Sequence, residues 1–297
     1  MLRPPLPSFN FSKHGLNPIL TPSDAPFESK GVYNPTVIIN NGVFYMLYRA
    51  EGEGTGTGVV ALACSKDGVS FRGRRPVIFP DRDYDAYGCE DPRVVKIRNL
   101  FYLTYNGNDG GRTAGNICLA TSSDLLRWNK VGEILQPKEG SWNEGQVKSG
   151  AIVPGAVNGI YFMYFQGERE PWRGYIGVAR SKDLIRWEEA IERPVLSPRP
   201  ERFDSMGVEP GAAVLVREGI LLIYNGWDEE KVHRVGWALF SSADPTRLVA
   251  RCEEPLLEPT EGWEGRITFA ESLIYYNNYW YLYYGAADKF IALAISK

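Results

Sequence analysis

Histidine is almost absent from this chain. His14 and His233 are the only two in 297 residues, and the four cysteines, Cys64, Cys89, Cys118 and Cys252, show no CxxC spacing. A zinc constellation and a disulfide framework are therefore not expected, and unpaired thiols suit a reducing compartment. Long apolar runs are missing too, with the longest at about half a dozen residues against the ~20 that a membrane-spanning helix needs. Met1-Leu2-Arg3-Pro4-Pro5-Leu6-Pro7 has neither the apolar segment nor the small-residue cleavage site of a secretory leader. We therefore expect a cytoplasmic protein that does not act in a membrane. No charge of one sign dominates: 33 Lys and Arg against 36 Asp and Glu give a net charge of −3, spread without a basic block. That argues against nucleic acid as a partner.

What the chain has in quantity is aromatic side chains, 13% of the total, with eight Trp and seventeen Tyr. They recur with a period. A serine and aspartate followed four residues on by a bulky apolar residue appears as Ser65/Asp67/Phe71, Ser122/Asp124/Trp128, Ser181/Asp183/Trp187 and Ser242/Asp244/Leu248. Subtracting the aspartate positions gives spacings of 57, 59 and 61 residues. An alternating aromatic strand precedes each motif, starting at Phe44, Phe101, Tyr161 and Leu221, and a fifth starts at Trp280. A short apolar run beside proline or glutamate follows the first four. The fifth such run is displaced to the N-terminus as Asn17-Pro18-Ile19-Leu20. The pattern predicts an all-β, five-bladed β-propeller, one domain over 1–297, with the N-terminal strand completing the last blade.

A propeller gathers the starts of its innermost strands around one axis. Counting back about fourteen residues from the end of each aromatic strand, the repeat predicts Asn34-Pro35, Asp91-Pro92, Lys148-Ser149, Glu209-Pro210 and Glu271-Ser272 at those starts. Just after the aromatic strands come Arg49, Asn106, Gln166, Asn225 and Gly285, with Asp288 nearby. Carboxylates, amides and cations among Tyr and Trp have the chemistry of a sugar site, and paired acids suit glycosidic bonds. The same groups also serve as strand caps around a solvated channel. Trp142, Trp172, Trp227 and Trp263 fall in loops, where an indole either stacks on sugar or packs against a neighbouring blade. The glycine-rich Gly52–Gly58 stretch opens no helical pattern, so it is expected to form a loop over the pocket and not a nucleotide site.

Gly88-Cys89-Glu90-Asp91-Pro92-Arg93-Val94, Tyr48-Arg49-Ala50 and Tyr283-Tyr284-Gly285-Ala286-Ala287-Asp288 resemble signatures of glycoside hydrolase family 130. The resemblance runs over nearly the whole chain. It implies a five-bladed propeller acting on β-mannosides, with many members being inverting phosphorylases. It also implies Asp91 as general acid, acting in the phosphorylases through a hydroxyl of the bound mannose. Asn34 and Asp288 match residues that hold the mannose at the cleaved bond, and Arg49 matches one beside that subsite. With Glu90, Asn106, Gln166 and Asn225, these make up the expected substrate-binding set.

Departures from the family pattern bear on the nucleophile. Lys148 matches a phosphate ligand, but a usual arginine reads as Asn116 unless Arg112 replaces it. The stretch after the third aromatic strand reads Gln166-Gly167-Glu168, and a usual Tyr-His-Gly reads Tyr224-Asn225-Gly226. His233 offers one compensating contact. A dianion needs opposed cations, while added carboxylates suit a base that activates water. The expectation is therefore an inverting β-mannoside hydrolase with Asp91 as acid and Glu209 or Glu271 as base, needing no metal or cofactor. The alternatives are a phosphorylase that uses inorganic phosphate as co-substrate, bound by Arg49, Arg112, Lys148 and His233, and a carbohydrate-binding propeller without turnover. An oligosaccharide is the expected partner, and a homo-oligomer is allowed.

Overall fold

The computed structural model describes residues 3–54, 56–111 and 115–297. Apart from two short 3-10 turns, its regular elements are strands. Four blades read in chain order from the axis outward. Blade 1 is Gly31–Asn40, Val43–Glu51, Gly58–Ser65 and Arg72–Ile78. Blade 2 is Gly88–Ile97, Leu100–Asn108, Asn116–Ser122 and Asn129–Leu135, and blade 3 is Gln146–Ile152, Tyr161–Glu168, Gly174–Ser181 and Glu188–Glu189. Blade 4 is Gly207–Leu215, Ile220–Trp227, His233–Phe240 and Leu248–Arg251. Blade 5 takes Thr268–Tyr276, Tyr279–Ala286 and Phe290–Ser296 from the C-terminus and Ser12–Lys13 from the N-terminus.

The five inner strands touch in a closed ring, each lying against the next and the fifth against the first. Side chains stitch neighbouring blades: the Val94 amide donates to Thr36 Oγ1, and the Val37 amide to Ser272 Oγ, both between inner strands. The five-bladed propeller is thus as expected, but its closure is displaced. The N-terminal strand pairs Ser12 with Ile295 and Lys13 with Ala294, and the apolar run supplies only a single bridge, Leu20 to Ile291. Between them the Asn17 side chain takes over, donating to the Leu293 carbonyl and accepting from its amide.

The Ser-Asp motifs are turns. Ser122 Oγ accepts from the amides of Asp124 and Leu125, and Asp124 Oδ1 accepts from those of Leu126 and Arg127; blade 3 repeats this with Ser181 and Asp183. A second repeat lies deeper. Three or four residues before each inner strand sits a fully buried polar group: Glu28, Asp85, Asn143, Asp204 and Glu264. In four blades it pins the aromatic strand, accepting from the hydroxyl of Tyr48, Tyr105, Tyr224 or Tyr284 at 2.7–2.9 Å. A cation from the outer strand neutralises it: Arg74, Lys130, Arg251 or, from the N-terminal strand, Lys13. Blade 3 swaps the parts, with Phe165 in the tyrosine position and Asn143 donating to Glu189.

Candidate active site

Each pinned tyrosine is followed by the residue the strand presents to the axis, so the pins fix where Arg49, Asn106, Asn225 and Gly285 stand, and Gln166 follows Phe165 in the equivalent place of blade 3. The inner strands contribute through bulges, because in every blade the register with the aromatic strand slips by one residue at Asn34-Pro35, Asp91-Pro92, Ser149-Gly150, Gly211 or Glu271. A bulge bends the strand and re-aims a side chain. Asn34, Asp91 and Ser149 sit there at φ of 53°, 49° and 57°, a left-handed conformation that the surroundings must hold in place.

The bulges open on a cleft of about 640 Å³ whose lining includes Asn34, Arg49, Asp91, Lys148, Gln166, Glu168, Glu209, His233 and Asp288. A larger groove of about 840 Å³ lies at the opposite end among the Ser-Asp turns. Its polar groups are already engaged in turns and surface pairs such as Arg180–Glu188 and Arg186–Asp183, so the convergent chemistry belongs to the cleft.

Asp91 accepts from Asn106 Nδ2 at 2.7 Å and faces Arg49 at 3.6 Å. Arg49 also reaches Glu51 at 2.6 Å and Glu90 at 3.1 Å. These carboxylates hold its guanidinium firmly charged against the cost of burial. Burial pushes the Asp288 carboxyl up, and Arg49 opposes that shift. On the other side of the cleft, Lys148 Nζ is 3.3 Å from Glu209 Oε2 and Ser149 Oγ is 2.5 Å from Glu209 Oε1. Glu168 lines the same wall, its carboxyl raised by burial and pulled back by Lys148. Burial lowers His233 to about 4, so it is neutral near pH 7 and brings no charge.

Four expected site residues are spent on architecture. Asn106 donates to Asp91 and accepts from the Ser149 amide, leaving it as a brace for the acid. Asn225 is fully buried with both ends on the Ala270 backbone. Glu271 lies beneath the cleft, bound by Asn34 Nδ2 at 2.7 Å and Arg93 at 2.9 Å, with its carboxyl raised chiefly by burial. Its side chain is fully buried and does not line the cleft, so of the two expected bases Glu209, not Glu271, faces the cleft. Glu90 is likewise held between Arg49 and Asn108, away from the lining. Asn116 is buried and donates to Glu133. Arg112 lies outside the described residues. The Gly52–Gly58 stretch leads into the third strand of blade 1 and opens no helix; its Thr55 is also outside the described residues.

Among the residues that the sequence reading did not name for the site, which include Lys30 and Glu51 in the cleft lining, two stand out. Glu168 is two positions beyond Gln166, on the same face of a strand whose side chains alternate. Arg93 crosses the axis beneath the cleft, donating to the carbonyls of Asp91, Pro92, Pro210 and Gly211 and pairing with Glu271. Among the described residues no cluster of His, Cys, Asp and Glu is arranged to hold a metal ion, and no helix is long and apolar enough to cross a membrane.

A family model described as beta-1,4-mannooligosaccharide phosphorylase matches residues 16–297. A 1,2-beta-oligomannan phosphorylase from Thermoanaerobacter sp. (strain X514) is 33% identical over 94% of both chains. A beta-1,2-mannobiose phosphorylase from the same strain is 31% identical over 97% of both. The fold is shared with a solved structure at TM-score 0.86 and 31% identity, over 99% of this chain and 96% of that one. That structure is reported under the statement that the GH130 family of mannoside phosphorylases contains glycoside hydrolases that target beta-1,2 mannosidic linkages in Candida mannan. With the acid, its arginine and the inner-strand bulges all falling within the matched residues, the chain belongs to glycoside hydrolase family 130, whose members are enzymes acting on glycosides.

Proposed function

We propose that this protein is an inverting β-mannoside hydrolase, with Asp91 as the acid and the Glu168/Glu209 wall as the site that activates water. The observation carrying this reading is the charge around Lys148, the cation best placed to meet a phosphate. It is flanked by two cleft carboxylates, Glu209 at 3.3 Å and Glu168. Lys30 and Arg49 are also paired, with Glu51, and His233 is neutral. A phosphate dianion arriving at Lys148 meets a cation already paired and two carboxylates that repel it, whereas water meets acceptors for its protons. Burial raises the affinity of Glu168 for the proton that a base must take.

The second reading is phosphorolysis with release of mannose 1-phosphate, and the names of the curated relatives favour it. Both readings place a mannoside in the same cleft and differ only in the nucleophile. Incubation with β-1,2- and β-1,4-linked mannobiose, with and without inorganic phosphate, separates them. Equal release of free mannose in both buffers is the expected result. Mannose 1-phosphate formed only with phosphate overturns the hydrolytic reading in favour of the second.

A further inference from the structure

We propose that Trp172 forms a distal sugar subsite at the mouth of the cleft, stacking on a pyranose ring of the substrate that takes no part in the cleaved bond. The proposal rests on the reading of the cleft as a mannoside-cleaving site. Of the four tryptophans expected in loops, Trp227 instead ends the second strand of blade 4 and Trp263 lies in a 3-10 turn, and three of the four are packed against neighbours. Trp142 lies over Phe165 at 5.6 Å and donates to Glu189, Trp227 is 3% exposed, and Trp263 meets Phe290 edge-on. Trp172 lines the cleft and is 50% exposed.

Its placement is enforced. The Trp172 carbonyl accepts from Trp227 Nε1 at 3.0 Å, and its amide donates to the Glu168 carboxylate. Between these anchors the backbone sits at φ 69°, a conformation that a bulky residue rarely adopts and that persists where the surroundings over-determine it. Lys231 Nζ stands 4.0 Å from the centre of the indole, covering one face. The other face is left for an apolar partner, and the C–H face of a sugar ring is the flat apolar surface that an oligosaccharide offers. Asp91, Asn34, Arg49 and Asp288 belong to blades 1, 2 and 5, while Trp172 is on the hairpin of blade 3. A substrate with its scissile bond at Asp91 therefore reaches the indole with a ring farther along its chain.

The test uses Trp172→Gly, which removes the indole and relaxes the left-handed backbone, and Trp172→Phe, which keeps a smaller ring. The readout is the ratio of kcat/KM for β-mannotetraose to that for β-mannobiose within each variant. A fall in that ratio of about three- to tenfold in Trp172→Gly, partly restored in Trp172→Phe, is expected for loss of one aromatic contact. An unchanged ratio, with or without an equal fall on both substrates, overturns the subsite. Calorimetric binding to Asp91→Asn reads the same contact without turnover: the tetraose should bind more tightly than the biose, and Asp91→Asn/Trp172→Gly should lose the difference. If the native chain cleaves no mannoside while this length-dependent binding is found, the proposed function fails and the subsite stands.

Discussion

Lys148→Met is the most direct probe of the charge arrangement in the cleft. Methionine keeps most of the side chain's length and removes the charge between Glu168 and Glu209. A pair of unit charges about 4 Å apart is worth about 4 kcal/mol at an effective dielectric of 20 and about 1 kcal/mol in water. The Lys148 side chain is 30% exposed, so the loss to the facing carboxylates falls between those limits, at roughly 2 kcal/mol. At 1.36 kcal/mol per pKa unit, that corresponds to about 1.5 units. The sign follows from the charge: removing a neighbouring cation disfavours the carboxylate, so the base holds its proton to higher pH. The acid limb of the kcat/KM profile, which reports the essential base of the free enzyme, should move up by about 1–2 units. The assay is β-mannobiose cleavage followed across pH. Lys30→Met is the control, since Lys30 lines the same cleft but is 58% exposed and pairs with Glu51, not with Glu168 or Glu209. An acid limb that stays in place in Lys148→Met, or shifts equally in both variants, refutes the argument. If phosphate is the nucleophile, Lys148→Met should instead raise the KM for phosphate.

Asp91→Asn should lower turnover by a factor on the order of 10² or more while leaving thermal unfolding near the native value, as expected for loss of an acid; native-like turnover would reject the assignment. Glu168→Gln and Glu209→Gln should each lower hydrolysis by about 10²-fold or more, whereas any loss in Glu271→Gln should appear as destabilisation in urea, because that carboxyl is buried against Arg93. Lys13→Met tests ring closure. It removes the cation 2.5 Å from the buried Glu264 carboxylate, which keeps Tyr284 and two backbone amides, so we expect a loss of roughly 2–3 kcal/mol, below the 3–5 of a fully orphaned charge. Burial raises the Glu264 carboxyl, but Lys13 and the amides outweigh it and the net shift is downward. Its stabilising effect is thus present above the unfolded carboxyl value of about 4.3 and fades as pH falls through the folded value. The two proteins should converge in acid urea titrations, and a gap that persists there would contradict the pairing.

The architecture was legible because it repeats. Five aromatic strands about 58 residues apart and four Ser-Asp turns need little more than counting. Counting back from the ends of the aromatic strands, by fourteen residues to Asn34 and Asp91, fifteen to Glu209 and seventeen to Lys148, reached the bulges or their neighbours, and these four residues do line the cleft. What counting could not supply was orientation. Asn106 and Asn225 occupy equivalent places after their aromatic strands, yet both amides turn onto the next blade's backbone. Glu271 faces the axis from below because Arg93, reaching across from blade 2, offers it a partner there. Glu168 was within reach, since strand alternation puts it beside Gln166. The buried row Glu28, Asp85, Asn143, Asp204 and Glu264 also carries a readable period, with spacings of 57, 58, 61 and 60 from their sequence numbers. It escaped notice because the residue type changes from blade to blade.

That buried row bears on how one fold serves two nucleophiles. In four blades a tyrosine is locked by a carboxylate and a cation, and the next residue along the strand is Arg49, Asn106, Asn225 or Gly285. Because successive side chains point to opposite faces, the tyrosine is committed to the blade interior and its neighbour to the axis. The layer that holds the strand in place is physically separate from the layer that meets substrate. An axial residue can then be exchanged for another of similar size without disturbing the pin behind it. Exchanging an amide for a carboxylate changes the charge in the cleft by one unit, and a cation for a carboxylate by two, at nearly constant backbone geometry. Glu168 and Glu209 lie in that axial layer beside Lys148. On the proposed hydrolytic reading, two side chains would select water over phosphate, and the frame that carries them would be indifferent to the choice.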